Sequence, residues 1–190
     1  ADEPGTTGTG AGVPAPICAV VLVCWNNRAY LEPCLESLYV SGMRHACEVI
    51  VVDNGSVDGS QEMLRSRFPG VALIQNADNV GLGRASNQGI RATTAPYVLL
   101  LNNDTLVDGA SLDVLIDFMA GTPDAGAAGG TLLNGDGTFQ SAYGNFLVAY
   151  GGMAAAGAGG VASAARPGRG VVELPCRLLD FGGLCILCAP

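Results

Sequence analysis

The chain has no lysine; all nine of its basic residues are arginines. That absence excludes Schiff-base catalysis and the lysine of a P-loop nucleotide site. Histidine and tryptophan occur once each, as His45 and Trp25. With a single histidine, a closed zinc site would have to gather Cys176 or His45 from afar to join Cys185-Ile-Leu-Cys188. That pair has redox or metal spacing but lies in an apolar, strand-like run without a second pair, so neither role is assigned to it. Charge is also scarce, at 14% of residues, and the net value is −8. A negative chain of this kind is unsuited to general nucleic-acid binding, which rests on neutralising phosphates, and to electrostatic docking on anionic lipid. No basic segment leading into an apolar core of signal-peptide type is visible. The charge-free stretch from Phe146 to Ala165 is Gly/Ala-rich and weakly hydrophobic, which reads as a loop or small-residue helix rather than a membrane span. The seven cysteines are an odd number and mostly sit inside apolar stretches. They read as small buried hydrophobes in a reducing, cytoplasmic setting.

What is present is apolar and ordered in pattern. At 190 residues and 49% hydrophobic content, the chain is long enough for one domain with a substantial core. Residues 1–16 hold almost no large apolar side chain and read as a flexible leader or linker, with order starting at Ile17. From there short apolar runs alternate with helix-like segments. Strands are expected at Ile17–Cys24, Glu48–Val52, Val71–Ile74 and Tyr97–Leu101, with Ala125–Leu133 returning to the sheet. The first intervening helix carries Tyr30, Leu31, Cys34, Leu35 and Leu38 on one face. The second starts near Ser56-Val-Asp58, the third spans Leu82–Ala92 and the fourth Ser111–Met119. After Leu133 the pattern weakens: a turn at Asn134-Gly-Asp-Gly137, a short strand at Thr138–Ser141, a mobile loop over 144–170, and a last apolar run from Leu178 to Cys188. Strands alternating with helices of this length predict an α/β fold with right-handed crossovers and a mostly parallel central sheet.

In open sheets of that type ligands bind beyond the carboxyl ends of the strands. Each predicted strand here runs into an Asn/Asp-rich segment: Trp25-Asn26-Asn27, Asp53-Asn54-Gly55-Ser56, Asn76–Asn79, and Asn102-Asn103-Asp104. The last is the sharpest, because a buried run ends abruptly in oxygen-bearing side chains that suit a hard divalent cation also holding phosphate. Ordinary turn chemistry would use the same residues. Asp53, directly at a strand end, is placed to accept from the N–H of a base or from ribose hydroxyls, while Gly55 permits the tight turn and Ser56 and Asp58 read chiefly as caps of the next helix. Trp25 either flanks a base or packs at the edge of the core.

Four stretches, in order, carry a family likeness: Val20-Val-Leu-Val-Cys-Trp-Asn26, Glu48-Val-Ile-Val-Val-Asp-Asn-Gly-Ser-Val-Asp-Gly-Ser60, Asn79-Val-Gly-Leu-Gly-Arg-Ala-Ser-Asn-Gln-Gly-Ile90 and Tyr97-Val-Leu-Leu-Leu-Asn-Asn-Asp-Thr105. Over roughly residues 17–140 the chain resembles family 2 glycosyltransferases of the GT-A fold, especially the rhamnosyltransferase-like branch. The resemblance implies a Rossmann-like three-layer sandwich over residues 17–190. It implies a donor-binding set of Trp25, Asn26, Asp53, Asn54, Asn79, Gly81, Asn87 and Asn103. Asp53 would contact the base, Trp25 would line its pocket, and Asn79 to Asn87 would shape the ribose–diphosphate side. Asn102 and Asp104 would occupy the DxD position, with Asp104 as the carboxylate ligand of Mg²⁺ or Mn²⁺. Many relatives carry Arg directly before the residue matching Asn87; here that place is Ser86 and the arginine is Arg84.

The implied activity is metal-dependent, inverting transfer of a sugar from a nucleoside-diphosphate sugar, with TDP-rhamnose the donor suggested by the resemblance, to a glycan or lipid-linked acceptor. The implied setting is cell-wall polysaccharide synthesis in the cytoplasm or at the inner face of the membrane, with peripheral membrane association through regions outside this chain. In relatives the catalytic base lies downstream of the strand matching Leu178–Cys188, and no Asp or Glu follows Asp180. The expectation is therefore a donor-binding half, truncated after Pro190, with no catalytic base assigned. The alternative is a non-catalytic nucleotide-sugar-binding or structural domain. A nucleotidyltransferase would want a glycine-rich basic loop after the first strand, where Cys24-Trp-Asn-Asn-Arg28 has no glycine. A dinucleotide-binding enzyme would want Gly81-Leu-Gly83 after the first strand and a third spaced glycine.

Overall fold

The computed structural model describes residues 15–107 and 109–138 and, beyond these, the backbone of 162–166, 169–174, 177–179 and 185–188. The core strands are β1 (Cys18–Cys24), β2 (Cys47–Asp53), β3 (Ala72–Gln75) and β4 (Tyr97–Leu101), separated by helices α1 (Arg28–Val40), α2 (Ser60–Arg67) and α3 (Leu82–Arg91). Then follow β5 (Leu106–Val107), α4 (Gly109–Gly121), β6 (Ala127–Gly129), β7 (Thr131–Leu133), β8 (Ala162–Arg166), β9 (Arg169–Leu174), β10 (Arg177–Leu179) and β11 (Cys185–Cys188).

The main sheet has the order β3-β2-β1-β4-β11-β6-β8-β9, and β5-β10-β7 make a smaller second sheet. Strands β3, β2, β1 and β4 pair in parallel, whereas the pairings from β4 outward to β9 are antiparallel. Because β4 and β6 are both antiparallel to β11, and β6 and β9 both antiparallel to β8, the sheet still runs mostly in one direction.

Strand periodicity explains the layers. On β1, Cys18, Val20, Leu22 and Cys24 face one side, where they pack with Leu31, Leu35 and Leu38 of α1, Met63 and Leu64 of α2, and Leu115 and Ile116 of α4. Ala19 and Val21 face the other, with Ile50, Val98, Ile74 and Ile90, beneath α3. This is the expected three-layer sandwich. The expected face of α1 needs one correction: Tyr30 is 53% exposed, while Leu31, Cys34, Leu35 and Leu38 are buried. At 100° per residue Tyr30 stands about 90° from the centre of that stripe, too far round to reach the sheet.

Other boundaries also moved. Helix α2 starts at Ser60 rather than near Ser56–Asp58, because Gly59 takes a left-handed φ of 82° and separates the loop from the helix. The expected return strand over Ala125–Leu133 is two, β6 and β7, which belong to different sheets; the run Leu178–Cys188 divides the same way into β10 and β11. Strand structure at β8 and the start of β9 falls within the stretch expected as a loop over 144–170. Thr138 is not in a strand, and the rest of the expected strand at 138–141, like most of the 1–16 leader, lies outside the described residues. Among the described residues no helix is long and apolar enough to cross a membrane.

Candidate functional site

The carboxyl ends of β2, β1 and β4 lie side by side, since Cys24 is in register with Asp53 and Leu22 with Leu101. Each end is built from the side chains that polarity alone had marked. Asp53 closes β2 and is fully buried. Its Oδ2 accepts from the Ser56 amide at 3.1 Å and from Gln61 Nε2 at 2.7 Å. Its Oδ1 is buried without a hydrogen-bond partner among the described residues. A buried carboxylate oxygen left in that state is costly, which makes it a place where a ligand N–H or O–H would be taken up.

The turn after β2 is held rigidly. Gly55 has φ 78°, and a Cβ there would lie 2.9 Å from the Ala77 carbonyl oxygen, so only glycine fits. Ser56 serves the loop rather than a helix cap: its Oγ accepts from the Asn26 amide at 2.9 Å. Asn26 has φ 50°, a left-handed conformation that Asn tolerates, and its Oδ1 accepts from the Val57 amide at 2.8 Å. Asp58 links two helix starts, accepting from the Arg28 amide at 2.8 Å through Oδ2 and from the Ser60 amide at 3.1 Å through Oδ1. Partial burial pushes the Asp58 carboxyl up, but hydrogen bonds from Ser60 and the Arg28 amide outweigh it and hold the group below its ordinary value. Beneath the turn Cys24 is fully buried, and desolvation raises its thiol pKa, so it is packing rather than a nucleophile.

Trp25 follows β1 and is 56% exposed, which removes the edge-of-core reading of its side chain. On the β4 side, Asn103 Nδ2 donates to the Val23 carbonyl at 2.9 Å and its Oδ1 accepts from Asn27 Nδ2 at 2.8 Å. Asn103 thereby ties the loop after β4 to the end of β1. The Asn102 carbonyl accepts from the Thr105 amide at 3.3 Å, and Asp104 is half-buried in this loop, just before β5.

On the β3 side a carboxamide network joins the loop to α3. Asn54 Nδ2 donates to Asn79 Oδ1 at 3.3 Å, and Asn76 Nδ2 donates to Asn54 Oδ1 at 2.9 Å. Asn76 and Gln88 exchange two bonds of 2.9 Å, and Asn79 Oδ1 accepts from the Gly81 amide at 2.9 Å. Gly81 precedes α3 with φ 86°; Asn79, Gly81, Arg84 and Asn87 are exposed. Gln61 and Gln88 were not among the residues marked from the sequence. An amide inside or beside a helix has no spacing signature, and only the fold shows what it touches.

No cluster of three or more acidic, histidine or cysteine side chains that could hold a metal occurs among the described residues. An Mg²⁺-type site at a nucleotide needs fewer protein ligands, one or two carboxylates with substrate phosphates completing the shell. Asp104, with Asn102 two residues before it, supplies oxygen donors of that type.

The sequence matches the glycosyl transferase family 2 model over residues 19–158. The chain belongs to glycosyl transferase family 2. Within that family it is 30% identical over 133 residues to an N-acetylglucosaminyl-diphospho-decaprenol L-rhamnosyltransferase of Mycobacterium tuberculosis, covering 64% of this chain and 43% of that protein. It is 32% identical over 128 residues to an N-acetylglucosaminyltransferase of Bradyrhizobium elkanii, covering 65% of this chain and 70% of that one. A solved mannosyltransferase from Pyrobaculum calidifontis, in complex with GDP-Man and Mn²⁺, superposes with a TM-score of 0.54 at 23% identity, over 63% of this chain and 35% of that one. The Staphylococcus aureus TarS fragment 1–349 superposes with a TM-score of 0.53 at 20% identity, over 67% and 40%. These likenesses bear out the GT-A fold and the rhamnosyltransferase-like resemblance. This family 2 chain spans less than half the length of the M. tuberculosis relative and of both solved proteins.

Proposed function

We propose that this chain is the donor-binding part of a glycosyltransferase, taking a sugar from a nucleoside-diphosphate sugar for transfer to a glycan or lipid-linked acceptor. The observation that carries the proposal is the buried Asp53 carboxylate, whose Oδ1 has no hydrogen-bond partner among the described residues, at the ligand end of the sheet. Asp53 accepts from the base, and Trp25 offers it a flat apolar wall. Asn54, Asn79, Gly81 and Asn87 border the ribose and diphosphate, with Asn26 and Asn103 holding the rim. Strands β2 and β4 are two spacings apart, roughly 10 Å. That separation suits a ligand with a base at one end and a phosphate at the other.

Asp104 and Asn102 hold Mg²⁺ or Mn²⁺ in this reading. Such an ion, when bound with the diphosphate, stabilises the charge that builds on the leaving group. The protein's own contribution is to orient the donor and exclude water from the base pocket. Relatives named as a rhamnosyltransferase and as transferring N-acetylglucosamine support a hexosyl donor, and TDP-rhamnose is the form we favour. No residue is assigned as the base that deprotonates the acceptor.

Calorimetric titration of uridine, thymidine, guanosine and cytidine diphosphates into the parent chain and Asp53→Ala tests the reading. Bases that present a ring N–H to Asp53 are expected to bind the parent more tightly than cytidine diphosphate, with that preference lost in Asp53→Ala. Equal discrimination by both proteins would sink the assignment of Asp53, and no binding by the folded chain would leave a structural domain.

A further inference from the structure

Among the described residues Asp53 is anchored through one oxygen, and the anchor extends beyond the turn that follows it. Gln61, which donates to Oδ2 at 2.7 Å, also accepts at Oε1 from Gln75 Nε2 at 2.6 Å. Gln75 Oε1 in turn accepts from Arg65 Nη2 at 2.8 Å. The four side chains form one line from helix α2 across edge strand β3 and back to the end of β2.

The two ends dictate the polarity of the middle. A guanidinium only donates and an ionised carboxylate only accepts. Each glutamine must therefore turn its oxygen toward Arg65 and its NH₂ toward Asp53. Reversing either amide would set two acceptors or two donors face to face. Gln61 Nε2 also donates to the Ser56 carbonyl at 3.2 Å, so the same amide braces the turn that holds Asp53.

We propose that Arg65, Gln75 and Gln61 form a positioning relay that fixes the carboxylate of Asp53, leaves Oδ1 as its single aimed acceptor, and thereby sets which bases the pocket takes. This rests on the reading of Asp53 as the base contact. Oδ2 is engaged twice and Oδ1 has no partner among the described residues, which leaves Oδ1 to a ligand donor. Uracil and thymine present a ring imide N–H, and guanine a ring amide N–H. Cytosine and adenine present a ring nitrogen lone pair at the matching edge, which would face the carboxylate lone pair and leave both unsatisfied. A carboxylate free to turn would offer either oxygen in several directions and discriminate less.

The test is calorimetric titration of uridine, thymidine, guanosine and cytidine diphosphates with Mn²⁺ into the full chain and its variants. Gln61→Met keeps length and removes the donor. Gln75→Glu, at an exposed position, keeps shape but cannot donate to Gln61, so the Gln61 amide turns its oxygen toward Asp53. Both variants are expected to bind the preferred diphosphate roughly tenfold more weakly, the size of one hydrogen bond to a charged group. Cytidine diphosphate should change by less than about twofold, because it never used the aimed oxygen. A loss of packing alone would weaken all four ligands together. Parent-like discrimination in Gln75→Glu, with discrimination lost in Asp53→Ala, would overturn the relay and leave the donor site standing. Parent-like discrimination in Asp53→Ala would remove the base contact and the relay with it. Gln75→Glu, remote from the core, decides the matter should Gln61→Met fail to fold.

Discussion

Replacing Gly89 by alanine should destabilise the protein, although helix propensity alone argues the reverse. Gly89 lies in α3 and is buried against the sheet; a Cβ there would stand 2.4 Å from Val21 Cγ1, 3.2 Å from Cγ2 and 3.4 Å from Cβ. Relief would need Val21 to leave its present rotamer, and branching at Cβ leaves its two methyl groups few places to go. Val21 is 2% exposed and flanked in register by Ile50 and Leu100, so it cannot slide along the sheet. Overpacking costs about 1–3 kcal/mol, a 2.4 Å approach falls in the upper half of that range, and the gain in helix propensity over glycine returns about 1 kcal/mol at most. The net expectation is a loss of about 1–2 kcal/mol, or a fall in Tm of about 2–8 °C for a chain of this size. Relief of the clash in Val21→Ala/Gly89→Ala should make the double variant more stable than the sum of the singles by about 1 kcal/mol or more. The consequence reaches the site. Gln88 is the adjacent residue, and its paired bonds to Asn76 would lengthen as α3 lifts, loosening Asn54. Thermal and urea unfolding measure the first effect. A Gly89→Ala protein as stable as the parent, or additive with Val21→Ala, would refute the close approach of α3 to β1.

Gly55→Ala faces both a left-handed φ of 78° and a 2.9 Å contact with backbone, which cannot move as a side chain can. A loss of at least about 1–2 kcal/mol is expected from the backbone conformation alone, read by urea unfolding, and nucleotide affinity should fall with it. Asp58 gives a pH signature. Its carboxyl is held below the ordinary value, so its contribution is present above the unfolded value of about 4 and is lost as pH falls through the folded value. The stability gap between parent and Asp58→Ala should be constant from pH 7 to 5 and narrow below pH 4; a gap that widened on acidification would contradict the assignment.

Much of the site was legible because a parallel sheet separates its jobs along the chain. Continuous β-branched and leucine runs such as Val20–Val23 and Val98–Leu101, alternating with helix-length segments, read as buried strands, and the polar residues directly after them then stand at one edge. That rule marks Asp53, Trp25 and Asp104, which stand at the end of β2, directly after β1 and in the loop after β4. The small sheet was not legible, since β5, β7 and β10 are too short to show a period of two. Nor was the passage of one apolar run between two sheets at Gly130, which no hydrophobic pattern records. Gly89 was open to a closer reading: a glycine inside a helix is costly and often marks a close approach. Gln61 was not, because its role depends on Gln75, fourteen residues away on another element.

The account stands or falls on a metal-assisted donor site at the ends of β2 and β4. The most direct measurement is calorimetric titration of thymidine diphosphate into the chain with Mn²⁺, repeated with chelator and with Asp104→Ala. The account predicts saturable binding with Mn²⁺, weakened at least about tenfold by chelator, and no response to metal in Asp104→Ala. Binding that ignores Mn²⁺ in the parent, or that keeps its metal dependence in Asp104→Ala, would contradict it.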